Sequence, residues 1–214
     1  EAIPAGLAAG DLEFVAYISN VRCLNLLFSD TNLLKVLSEF DQQVRLMKNI
    51  RVEHGATQAL TFRQLILNLI GPSKDVTKLI GLDFDETEVL PKLKKVNQLN
   101  LIAYIYLSKL ITCYIFGEKR TAFDHAKTML TEGYDQVMQS MHVEQIFRFF
   151  CSLVILSQHK TLGASDKEKN IKQVHAYQDH MKMLSDLCPD NYQTLYTLIE
   201  AEKARVTGHY WQDV

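Results

Sequence analysis

The sequence shows no leader-like opening, no glycine-rich phosphate loop, no sustained two-residue hydrophobic alternation and no block of like charge. Its opening, "EAIPAGLAAGDLEF", lacks a basic stretch followed by an apolar run, so a cleaved leader is not predicted and a cytoplasmic location is expected. Neither G-x-G-x-x-G nor G-x-x-x-x-G-K-[ST] occurs, and "GPSK" at 71–74 is too short to cradle a nucleotide phosphate. The net charge is −2 and the basic residues are dispersed, with "KLKK" at 92–95 the nearest thing to a cluster. Such a balance gives no electrostatic reason to expect nucleic acid or anionic lipid as a partner. The four cysteines (Cys23, Cys113, Cys151 and Cys188) lie far apart, three of them within apolar periodic stretches. They read as small buried thiols in a reducing compartment rather than as a disulfide framework.

What is present is hydrophobic residue at helical spacing. At 47% hydrophobic and 22% charged, the 214 residues are enough to bury a sizeable core, and one domain covering 1–214 is predicted. Over 11–29 the stripe is Phe14, Ile18, Val21, Leu24 and Phe28; over 31–53 it is Leu33, Leu37, Phe40, Val44 and Met47. A third run, 56–70, carries Ala59, Phe62, Ile66 and Leu69 and ends at Gly71 and Pro72. Asp85 followed by Glu88 predicts a capping box, with Pro91 kinking or restarting the helix it opens. Further helices are predicted at 98–116, 119–138 and 142–159. Ser165 and Glu168 suggest a second capping box opening 166–187, along which Ile171, Val174, Tyr177, Met181 and Leu184 share a face. Pro189 in "CPDN" breaks the chain before a last helix at 191–206. The fold class is all-α.

The most apolar run, Leu99 to Phe116, approaches a bilayer core in length at about 1.5 Å per residue. Lys109 at its middle opposes insertion, at a cost of about 2.5–3.5 kcal/mol. A helix packed on two sides needs the same broad apolar surface and tolerates a lysine at its rim. No membrane span is predicted. Gly10, Gly117 and Gly208 each stand between an apolar helix and a polar helix start, as chain-reversing turns do. Their spacings are not multiples of one short period, so any repeats have helices of unequal length.

The candidates for chemistry are weak. Ser157 and Lys160 match S-x-x-K, but a helix end with a basic last turn explains them. His175 and His180 are five apart and so sit on different helix faces, which disfavours a shared metal. "HKTLG" at 159–163 holds the ingredients of a phosphotransfer histidine in the wrong order. Asp83 and Asp85 alternate as in a calcium loop, yet Glu88 stands where glycine is needed and Lys94 where glutamate is. Neither a cofactor, a metal nor an enzymatic activity is expected. Tyr104, Tyr106 and Tyr114, with Phe147, Phe149 and Phe150, read as packing between helices; the three tyrosines are the candidates for lining a groove or pocket.

Three stretches carry a resemblance: "NLIGPSKDVTKLIGLDFDETEVLPKL" (68–93), "CYIFGEKRTAFDHA" (113–126) and "CPDNYQTLYTLIEAEKARVTGHYWQDV" (188–214), with "AGLAAGDLEFVAY" (5–17) in keeping. They look like the tetratricopeptide-like helical region of large bacterial signalling proteins, in which a STAND-type ATPase precedes the helices. GAF and histidine-kinase modules commonly follow there, and a serine/threonine kinase often leads. The resemblance implies an antiparallel helix-pair repeat, an α-solenoid with irregular helix lengths. It marks Gly10, Asp11, Gly71, Asp85, Glu86, Gly117, Ala122, Pro189, Asn191, Ala201, Glu202, Arg205 and Gly208 as positions of helices and turns, not of catalysis. The start at Glu1 without a methionine and the close on "GHYWQDV" predict a piece of a longer chain. The expected function is a non-catalytic interaction or interdomain-coupling module whose partners are proteins or neighbouring domains. A ligand-sensing helical domain with an apolar pocket around 98–116 is the alternative.

Overall fold

A computed structural model describes residues 1–71, 75–139 and 141–208, omitting the side chain of His142. Among the described residues the chain is helical throughout, and its only β feature is an isolated bridge between Ile80 and Asp85. The elements are α1 (Ala2–Ala9), α2 (Leu12–Leu27), α3 (Leu33–Asn49), α4 (Glu53–Ile70), α5 (Glu86–Lys95), α6 (Leu99–Ile115), α7 (Lys119–Thr131), α8 (His142–Gln158), α9 (Ala164–Leu187) and α10 (Pro189–Thr207). Sequence neighbours pack together from α1 to α4 and from α5 to α10. Contacts of α2 with α4, α4 with α6, α6 with α8 and α8 with α10 make the stack continuous. One hydrophobic cluster runs through it from Cys23 to Ile199, and a small second one joins Ala16, Met47 and Val52.

The stripes read for α3, α4 and α9 face inward: Phe40, Val44, Met47, Ala59, Phe62, Ile66, Val174, Tyr177 and Met181 are all buried. On α2 the interior face differs. Val15, Ala16, Ser19, Asn20, Cys23, Leu24 and Leu27 are buried, whereas Phe14 is 44% exposed and Ile18, Val21 and Phe28 are half-buried. Close approach explains part of this: a Cβ on Gly55 of α4 would lie 3.3 Å from Ala16 Cβ, so α2 meets α4 there through a small residue while Phe14 stays outside.

Several boundaries also moved. The third helix stops at Asn49 because Arg51 adopts φ 59°, and α4 starts at Glu53, earlier than its stripe. The predicted 119–138 helix ends at Thr131, before Gly133 at φ 71° and a 3-10 turn at Gln136–Met138. Pro91 lies inside α5, which continues through it.

Asp85 does cap α5, accepting from Thr87 N at 2.8 Å. The Thr87 hydroxyl and N–H hold its carboxyl below the usual range. The cap is one-sided, without the expected Glu88 return bond among the described contacts; Glu86 instead accepts from Leu79 N at 3.1 Å and so ties the 79–85 loop to the helix start. Gly163, not Ser165, precedes α9, and Glu168 pairs with Lys172 instead of closing a box. Gly10, Gly71, Gly117 and Gly208 take φ of 74°, 102°, 86° and 76° at or just beyond the ends of α1, α4, α6 and α10. Any other residue would be strained there. Ala122 is buried within α7 and Pro189 opens α10 at its first turn. Pro72 and the segment from His209 onward, where a further helix start is expected, lie outside the described residues.

Candidate functional site

A half-open groove of ≈ 530 Å³ lies where α2, α4, α6 and the start of α8 converge. Helix α2 supplies one wall, with Phe14, Tyr17, Val21 and Leu24 at helical i, i+3, i+7 and i+10 spacing. Helix α6 supplies Leu101 and Tyr104, α4 supplies His54 and Gln58, and Met141 and Val143 close the far end. Glu13, Asn25 and Asn100 complete the lining, which contains no lysine or arginine.

Its floor is an amide relay. Gln43 Nε2 on α3 donates to Asn20 Oδ1, and Asn20 Nδ2 donates to Gln58 Oε1 at 3.1 Å. Gln58 is only 7% exposed, and its Nε2 has no partner among the described residues. Tyr104 stacks obliquely on Phe62, with ring centroids 5.4 Å apart, and its hydroxyl donates to Met141 Sδ at 3.4 Å. Burial raises the Tyr104 phenol above its ordinary value, so it stays protonated at neutral pH.

The three tyrosines do not share one site. Tyr104 lines the groove, Tyr106 stacks on Tyr134 at 5.6 Å and meets His125 edge-on at 5.9 Å, and Tyr114 packs on Phe150 at 6.0 Å. Their offsets of two and ten residues turn them about a helix axis at 100° per residue, so they face different neighbours. The sequence reading found Tyr104 but missed Tyr17 and Gln58. The signal available for Tyr17 was its i+3 relation to Phe14 on a face too bulky for the α2–α4 contact.

Other reactive residue types are engaged structurally. Ser157 Oγ donates to the Val154 carbonyl at 2.7 Å, and Lys160 sits exposed in the 3-10 turn His159–Thr161. His180 approaches Gln145 at 3.3 Å, while His175 lies in a shallow cleft between α9 and α10. Asp83 pairs with Arg63 at 3.4 Å. Burial pushes the Cys23 and Cys113 thiols up to about 11 and Cys151 to about 12, so they are not thiolate nucleophiles at neutral pH. Among the described residues no three His, Cys, Asp or Glu side chains gather as metal ligands, and no helix is long and apolar enough to cross a membrane.

His125 gives the chain a pH signature. Burial, aided by the Lys109 charge and opposed by Asp124, pulls it down to about 4. The unfolded chain keeps the ordinary value, about 6.5, so between the two values it binds the proton that the folded chain refuses. Stability is therefore full above about pH 6.5 and falls as the pH drops toward 4, by ~2 kcal/mol once solvent screening of a half-buried ring is allowed for. Urea midpoints measured at pH 7 and pH 4 show this loss, and His125→Gln removes that share of it.

Comparison with known proteins returns no matching family model, no matching curated protein and no matching solved structure.

Proposed function

We propose that the chain is a non-catalytic recognition module, a tetratricopeptide-like stack that couples a partner protein or a neighbouring domain to a signalling ATPase or sensor kinase. The resemblance of 68–93, 113–126 and 188–214 to the helical region of such proteins supplies the signalling context. The observation that carries the recognition role is the outward row on α2: Phe14 and Tyr17 are 44% and 63% exposed beside a groove that no other helix among the described residues fills. Large aromatics at a groove rim offer much contact area for little lost side-chain entropy, and an amphipathic partner helix reads such a row at i, i+3 and i+7. A photo-crosslinking residue at Tyr17, compared with one at exposed Lys127 on α7, tests this in the cells of origin. The expected result is a discrete adduct from position 17 that position 127 does not give. Equal labelling from both positions, or none from either, contradicts it.

A second reading, ligand sensing, is favoured by the groove's inner half. Its volume falls within the range of small-molecule sites, roughly 300–1,000 Å³, and Val21, Leu24 and Leu101 give it apolar walls beside the Gln58 amide. The two readings are compatible, because the partner faces the rim and the ligand the floor.

A further inference from the structure

We propose that a second copy of this chain docks antiparallel along the outward face of α10, so that Asp190 of each copy meets Arg205 of the other. The face lies at the far end of the stack from the α2 groove, and the inference stands apart from any reading of that groove. Helices α8 and α9 cover one side of α10, where Ile199 is fully buried. At 100° per residue the opposite side carries Asp190, Thr194, Thr197, Leu198, Ala201 and Arg205. All but Ala201 are exposed, Leu198 to 49%, and a shallow trough of ≈ 700 Å³ runs along the face from Pro189 to Ala201.

The face is complementary to itself. A two-fold axis passing between Thr197 and Leu198 sets Thr194 opposite Ala201 and Asp190 opposite Arg205, with opposite charges meeting at both ends. Thr194 and Ala201 are small enough for the backbones to approach closely, and Leu198 gains apolar cover at the centre. A slip of one turn towards the helix starts would set Asp190 opposite Ala201 and lose the charge pairs, which fixes the register. Both charges are available. Asp190 forms no ion pair among the described residues. Arg205 spends Nε, at 2.8 Å, and Nη2 on Glu202, and its Nη1 makes no contact among the described residues. The Glu202 bonds hold the guanidinium in place before the second copy arrives, which lowers the entropy lost on pairing. An arginine between two carboxylates already occurs in this chain, where Arg63 meets Asp41 and Asp83. One helix about 28 Å long makes a small interface, so the dimer is weak, with Kd about 10–100 µM.

The test is sedimentation equilibrium of the 214-residue chain from about 5 to about 500 µM, a span that brackets this constant. A monomer–dimer equilibrium is expected. Asp190→Arg and Arg205→Asp each set like charges against one another and are expected to weaken the dimer roughly tenfold. An equimolar mixture of the two variants restores opposite charges at both contacts and is expected to associate as tightly as the parent. Leu198→Lys places a charge at the centre of the contact, at a position exposed in the monomer, and is expected to abolish the dimer even where Arg205→Asp fails to fold. Three results overturn the proposal: a chain that stays monomeric throughout, a dimer indifferent to Asp190→Arg and Leu198→Lys, or a mixture of folded variants that associates no better than its components.

Discussion

Phe62→Ala is expected to cost about 3–5 kcal/mol, the range for truncating a fully buried aromatic whose surroundings relax only in part. Phe62 is 0% exposed at the middle of α4, with the Phe40 ring 6.5 Å away on α3 and the Tyr104 ring 5.4 Å away on α6. It therefore joins three helices, two of which also wall the groove. The loss appears as a shift in the urea midpoint without a change in slope. Because the cavity opens beneath Tyr104, the same variant also loosens the groove floor. A cost below about 1 kcal/mol would mean that the site collapses freely, and the α3–α4–α6 junction would not be the rigid base of the groove.

The second large effect lies at Lys109. Its ammonium meets the Glu86 carboxylate, the two side chains being 15% and 7% exposed, and Glu86 also accepts from Leu79 N. Removing one partner of such a pair leaves a desolvated charge behind, so Lys109→Met is expected to destabilise by about 3–5 kcal/mol. A solvated surface pair would cost only ~0–1 kcal/mol, which is the outcome that contradicts this description. Combining Lys109→Met with Glu86→Gln removes the stranded charge while keeping an acceptor for Leu79, and is expected to recover at least half of the loss. The comparison also bears on the apolar α6 run. Its central lysine is anchored to Glu86 at the start of α5, so its charge is paired where the helix lies inside the stack.

The fold was legible where side-chain size and burial agree. On α3, α4 and α9 the middle of each apolar stripe is buried, as at Phe40, Phe62 and Val174, so periodicity located the interior face even though Leu34, Met183 and Leu187 lie exposed off it. On α2 the two part company, because the helix approaches α4 through Ala16 and Gly55 and because Asn20, a polar residue, is buried in the relay with Gln43 and Gln58. Periodicity weighs apolarity and cannot see a satisfied amide. The first helix escaped notice for a related reason: eight residues with four alanines and Gly6 give no stripe, and tertiary contact with α2 holds them. The end of α3 depended on Arg51 at positive φ, a conformation that arginine does not advertise. The groove was half legible. Tyr104 was read as a candidate lining residue, but its companions come from helices distant in sequence, and no local pattern brings residues 17, 58, 104 and 141 together.

The central claim is that the bulky α2 face serves recognition and not the core. Phe14→Lys combined with Tyr17→Lys tests it most directly, read out by thermal melting and by crosslinking from a photo-reactive residue at Val21. If the face is a recognition surface, the melting temperature stays within a degree or two of the parent and the Val21 adduct disappears. A melting temperature lower by many degrees would place these rings in the folded core, and an undiminished adduct would place the partner elsewhere.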